Sequence, residues 1–128
     1  MLDHDMARKF ADKYGDDAFR FAFIITLDAE KAADAVCAAF TSLAADPDHN
    51  LDDPDKRKIF SAVYKAAKKS AAKSADRTKI EAAYGEKCEE FYEIASLPLK
   101  NRAIGHLTLY EGYSEPDAVK IIKGDVHD

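Results

Sequence analysis

The stretch that most constrains the fold lies at the end of the sequence, in residues 96–128. It opens with the pair Leu97-Pro98, continues through apolar residues at helical spacing, and reaches the turn Tyr110-Glu111-Gly112-Tyr113-Ser114. A second short helix is predicted to start at Ser114 and to carry the apolar residues Ala118, Val119, Ile121 and Ile122. The stretch therefore predicts two short helices joined by a tight turn, as at the start of a helix-turn-helix.

The rest of the sequence also predicts helices. Apolar residues make up 47% of the 128 residues, glycine and proline number 5 and 4, and no Val/Ile/Thr alternation is long enough for a strand. Cys37 and Cys88 lie in helical patterns rather than in a disulfide framework, and the apolar run over 21–27 is too short to span a bilayer. We expect an all-α protein of the cytoplasm, without a membrane segment.

Capping residues predict where several helices begin and end. Gly15 is predicted to end a first helix over 3–14, because glycine readily adopts the left-handed conformation of a helix C-terminus. Asp28 is predicted to cap a later helix. Asp53-Pro54 has the cap and the first-turn proline that favour the start of a helix over 54–73.

Positive charge is concentrated in one part of the chain. The net charge is −5, but residues 56–79 hold nine basic residues and one acid, so this segment carries +8 and the other residues sum to −13. A basic segment in an acidic protein favours a local contact with a polyanion. The candidate phosphate contacts are Arg57, Lys58, Lys65, Lys68, Lys69 and Lys73.

Phe60 and Tyr64 lie four residues apart and share a face of the same predicted helix. Exposed aromatic rings could stack on the bases of a single strand, at about 1–3 kcal/mol for each base. The alternative is that both rings lie in the core and the lysines form an ordinary solvated face. The residues leave both interpretations open for the lysines and favour the core for the rings.

No pattern of catalytic or metal-binding residues stands out. There is no HxxxH or HExxH spacing, no nucleophile elbow and no glycine-rich phosphate loop, and the histidines are scattered: His4, His49, His106 and His127. His127 lies between two aspartates, which a solvated acidic segment explains better than a metal site. We expect no enzyme activity, no cofactor and no metal.

Two stretches share the pattern of a known family. Residues 14–40 read YGDDAFRFAFIITLDAEKAADAVCAAF, and residues 97–122 contain the Leu-Pro pair, the Tyr-Glu-Gly turn and the serine that follows. In this order and at this spacing they resemble bacterial RNA polymerase sigma factors of the extracytoplasmic-function type. The resemblance covers nearly the whole chain, with the basic segment between its two parts.

The resemblance implies two small helical domains. A core-binding and promoter-melting domain would cover 1–75, a linker 76–84, and a partial helix-turn-helix domain 85–128. The implied function is to bind core RNA polymerase and promoter DNA. An anti-sigma-like regulator is a further candidate partner, and the sequence leaves open whether such a partner exists. The helix over 28–43 would bind the polymerase through or beside Asp34, Val36 and Phe40, with Phe40 also expected in the core.

Departures from the family pattern favour a second hypothesis. Cys37 and Ala38 replace a Gln-Glu pair, and the recognition helix would follow Asp128, so the sequence is either truncated or a degenerate relative. The alternative function is a sigma-like adaptor or regulatory protein-interaction module that does not read DNA. The +8 segment argues against this alternative, because a protein adaptor has no need of concentrated positive charge.

Overall fold

The computed structural model describes residues 4–45, 56–72 and 88–124, together with 81 and 85. Over these residues the chain forms helices and no strand, which confirms the all-α class. None of the helices described is both long and apolar enough to cross a membrane. The helices are α1 (His4–Thr26), α2 (Ala29–Ala45), α3 (Lys56–Ala67) with a following 3-10 turn (Lys68–Ser70), α4 (Cys88–Ala95), α5 (Leu99–Leu109) and α6 (Glu115–Lys123).

The predicted end of the first helix at Gly15 is wrong, because α1 continues unbroken to Thr26. A glycine inside a helix costs only about 1 kcal/mol relative to alanine. The turns that follow it bury apolar side chains such as Phe21, and this burial outweighs the cost. The left-handed residue that follows α1 is instead Leu27, with φ 53°, whose N–H donates to the carbonyl of Phe23 at 2.7 Å.

The predicted cap at Asp28 and the predicted helix start at Ser114 are confirmed. The Asp28 carboxylate accepts a hydrogen bond from the N–H of Lys31 at 3.0 Å, at the start of α2. The Ser114 hydroxyl accepts one from the N–H of Asp117 at 3.3 Å, at the start of α6. The predicted cap at Asp53-Pro54 lies outside the described residues.

One hydrophobic core includes helices from both ends of the chain. Phe21 of α1 is fully buried, and its ring centroid lies 5.4 Å from that of Phe60 in α3 and 5.5 Å from that of His106 in α5. α6 packs against α3, with Ala118 and Ile121 buried. Helices from the N-terminal and C-terminal parts of the chain therefore pack together around this core, while the division of the chain into two domains stays a prediction.

Candidate nucleic-acid interface

Phe60 and Tyr64 lie in the core rather than on a binding surface. Their side chains are 0% and 5% exposed. Both rings pack against Phe21, and the ring of Tyr113 meets Phe60 edge-on at a centroid distance of 6.1 Å. Burial raises the pKa of Tyr64, although the nearby charge of Arg102 acts in the opposite direction. Stacking of these rings on bases is therefore ruled out, and the core interpretation is correct.

Part of the predicted phosphate-binding set lies at the C-terminal end of α3. Lys65, Lys68 and Lys69 are exposed, and we call them the lysine cluster. α3 ends at Ala67 and tightens into the 3-10 turn Lys68–Ser70, so the cluster spans the last helical turn and the turn after it. No ion pair joins any of the three to another residue that the structure describes. The helix dipole favours cations at this end.

The other predicted phosphate contacts are less available. Arg57 and Lys58 are half-buried, and each already interacts within the chain. Lys73 lies outside the described residues. Among the described members of the predicted set, the lysine cluster is therefore the part that faces solvent.

The opposite end of α3 is held by ion pairs centred on Lys56, which we call the Lys56 junction. Its Nζ lies 2.8 Å from Oδ2 of Asp17 in α1 and 3.4 Å from Oε2 of Glu111 in the turn after α5. The same amine lies 5.6 Å from the ring centroid of Phe60, and Arg20 pairs with Asp17 at 3.2 Å. Burial alone would lower the pKa of Lys56, but the hydrogen bonds and charges of Asp17 and Glu111 raise it overall.

His106 lies beside the Lys56 junction as a buried structural residue. Its side chain is packed between the rings of Phe21 and Tyr110, with centroid distances of 5.5 Å and 5.3 Å. Its Nε2 is 3.6 Å from Oε1 of Glu111, and neither ring nitrogen has a hydrogen-bond partner. The ring therefore packs in the core, and nowhere in the described ranges do three metal-ligating side chains come together.

Arg102 is a buried charged residue whose role the sequence patterns did not predict. Its side chain faces inward from α5 and is 2% exposed, and its Nη2 donates to the carbonyl of Ala72 at 2.9 Å. Burial lowers the pKa of Arg102, while the neighbouring Tyr64 acts to raise it. The available signal was spacing, because Arg102 and His106 lie four residues apart on the buried face of α5.

The predicted polymerase-binding residues lie in three different environments on α2. Asp34 is exposed, Val36 is half-buried and Phe40 is buried. The expected core position of Phe40 is confirmed, so this ring supports α2 from inside. The exposed face around Asp34 carries Glu30 and Lys31 one turn before it and the small residues Cys37 and Ala38 one turn after it. Any partner of this face would therefore meet two carboxylates and a lysine beside small side chains.

The structure brings together only some of the predicted site residues. The lysine cluster forms one exposed group at the end of α3, whereas Asp34 lies on α2 and Phe40 is internal.

Comparison of the chain with protein-family models, with curated proteins and with solved structures finds no match, so its likeness to sigma factors rests on the two sequence patterns.

Proposed function

We propose that this chain is a sigma-factor-like transcription initiation protein of the cytoplasm, which binds core RNA polymerase through α2 and promoter DNA through the lysine cluster. The observation that carries the proposal is the exposure of Lys65, Lys68 and Lys69 at the end of an otherwise packed helix. Lysines that neutralise phosphates release counterions from DNA, which drives binding. The protein acts by recognition and has no catalysis of its own.

The proposed DNA contact is with the backbone rather than with the bases. A lysine ammonium is a point charge that attracts phosphate, and phosphate contacts position a protein without reading sequence. Phe60 and Tyr64, the aromatic residues of α3, are buried and unable to stack. We therefore expect binding that depends strongly on salt and weakly on DNA sequence.

Anisotropy titration of labelled single-stranded and duplex DNA at several salt concentrations tests the DNA contact. Three phosphate contacts predict a log–log salt slope of about −2 for single strands and about −2.7 for duplex. Replacing all three lysines of the lysine cluster by glutamine is expected to remove most of the salt dependence of DNA binding, so that the slope approaches zero. A control with the same change in net charge replaces exposed lysines on α2, α5 and α6, namely Lys31, Lys100 and Lys120.

Two results would reject the DNA contact. One is a wild-type chain that does not bind DNA even at low salt. The other is an equal loss of affinity in the cluster variant and in the control variant, because the effect would then reflect net charge and not the position of the lysines.

A pull-down with core RNA polymerase tests the protein contact. Asp34→Lys reverses the exposed charge on α2 and is expected to weaken capture. The matched control is Glu93→Lys, which makes the same charge change at an exposed position of α4. Equal capture of the two variants would reject the assignment to α2, and no capture of the wild-type chain would reject the sigma-like function.

One observation favours the alternative function, a sigma-like adaptor or regulatory module that does not read DNA. The helix pair α5 and α6 is part of the common core, with Ala118 and Ile121 of α6 buried and α6 packed on α3. Helices packed in this way suit a structural or protein-binding role, including contact with an anti-sigma-like regulator. Capture by polymerase without any binding of DNA would identify the adaptor.

A further inference from the structure

The backbone of Ala72 is held from two sides, just after the lysine cluster. Its N–H donates to the carbonyl of Ile25 at 3.0 Å, and its carbonyl accepts from Nη2 of Arg102 at 2.9 Å. The Ile25 carbonyl is among the last four of α1, which have no partner inside their own helix. The N–H of Ala72 therefore pairs with a carbonyl at the end of α1, and the carbonyl of Ala72 is held by Arg102 of α5.

We infer that Arg102 is a positioning residue for the lysine cluster. By holding Ala72, it fixes the point at which the chain leaves α3 and the direction in which Lys68 and Lys69 project. The inference rests on the proposed phosphate contact and adds α5 to the elements that shape it. In this arrangement the helix pair at the C-terminal end of the chain supports a DNA contact made elsewhere.

The burial of Arg102 argues that the side chain has a specific role at this position. A buried charge is costly unless it is hydrogen-bonded or paired, and an apolar residue of similar volume is often at least as stabilising. No carboxylate pairs with Arg102 among the residues that the structure describes, and its Nε is buried without a partner. The bond to Ala72 is the interaction that an apolar side chain could not replace.

The local backbone explains why the cluster depends on this bond. After α3 ends, the 3-10 turn is closed by the N–H of Ala71 donating to the carbonyl of Lys68 at 3.3 Å, a long hydrogen bond. Ala71 is already extended, with φ −61° and ψ 134°. The two shorter bonds at Ala72 are therefore the firmer restraints on Lys68 and Lys69, whereas Lys65 is held by α3 itself.

The test is Arg102→Met, which removes the guanidinium and keeps a side chain that can fill the core. Amide hydrogen exchange at Ala71 and Ala72 is expected to rise by about tenfold or more, because one restraint on this segment is lost. The affinity for single-stranded DNA is expected to fall by about threefold to tenfold. The salt slope should become shallower by about 0.7 to 1.4, which corresponds to one or two lost phosphate contacts.

Two further variants separate positioning from stability and from charge. Leu107→Ala truncates a fully buried residue of the same helix and is expected to destabilise the fold while leaving the salt slope at its wild-type value. Arg102→Lys keeps the charge and a donor, and should recover amide protection and salt slope together. All measurements are made well below the unfolding transition of each variant.

The outcomes distinguish the two proposals. A wild-type chain that fails to bind DNA rejects the proposed function, and the positioning role with it. A wild-type chain that binds, with an unchanged slope in Arg102→Met or the same change in Leu107→Ala, rejects the positioning role alone. Full recovery of affinity by Arg102→Lys while exchange at Ala72 stays fast would also overturn it, because the effect would then be one of charge.

Discussion

The two ends of α3 place lysines of the same basic segment in opposite environments. At one end, Lys56 lies between the carboxylates of Asp17 and Glu111, at 2.8 Å and 3.4 Å. At the other end, the lysine cluster faces solvent and forms no ion pair with any described residue. The fold thus divides a continuous run of positive charge into a part used for internal ion pairs and a part available to a partner.

The helix dipole explains why the two ends differ. A cation in the first turn of a helix is disfavoured by the partial positive charge of the free N–H groups, and a cation in the last turn is favoured. Lys56 lies in the first turn of α3, where Asp17 and Glu111 offset this effect. Lys65 lies in the last turn, so the lysine cluster needs no acidic partner and can keep its charge exposed.

The largest effect is expected from Phe21→Ala, which removes the side chain that packs against the middle of α3, between its two ends. Phe21 is fully buried against Phe60 and Tyr64, and such a truncation typically costs about 3–5 kcal/mol. Urea unfolding followed by circular dichroism measures the loss. The control is Phe19→Ala on the same helix, where the half-buried ring should cost less; equal losses would contradict the central position of Phe21.

Local chemistry accounts for the parts of the fold that were predicted correctly. Asp28 and Ser114 cap their helices through hydrogen bonds to residues three positions away, so a short sequence window contains both partners. Gly15 failed as a stop signal because the penalty of a glycine in a helix is small, and burial of the residues that follow exceeds it.

The candidate site could be predicted only in part, because its decisive contacts join distant positions. Lys56 and Glu111 are 55 residues apart, and Arg102 and Ala72 are 30 residues apart. The pattern of charges shows that lysines are concentrated but not which of them will meet a carboxylate after folding. The core position of Phe60 was favoured by the sequence, but its contact with Phe21 of α1 was not predicted.

A smaller loss is expected from Lys56→Met, which breaks the Lys56 junction. The side chain is 39% exposed, so solvent screens the ion pairs and their loss is expected to cost about 1 kcal/mol. The urea midpoint should fall, and the difference from the wild type should shrink at high salt. If the variant were as stable as the wild type, the Lys56 junction would not stabilise the fold, and the two ends of α3 would no longer differ in the role of their lysines.

A still smaller effect is expected at alkaline pH. The pKa of Lys56 and that of Tyr64 are raised above their ordinary values of 10.5 and 10.0 in the folded protein. Each group therefore holds its proton more tightly when folded, and this stabilisation is present below the ordinary pKa and lost as the pH rises through the folded-state pKa. Urea titrations between about pH 9 and 12 should show a decline that begins at about pH 10 and is shallower in Lys56→Met and in Tyr64→Phe.

The smallest effect on stability is expected from Lys68→Met, the counterpart of Lys56→Met with the same change in net charge. Lys68 is exposed and has no ion pair with a described residue, so its replacement should alter the unfolding free energy by less than about 0.5 kcal/mol. The salt slope for single-stranded DNA should nevertheless become shallower by about 0.7, since one phosphate contact is lost. Lys56→Met should show the reverse, with lower stability and an unchanged slope. If both variants changed the slope equally, the two ends of α3 would act as one electrostatic surface, and the division between them would be wrong.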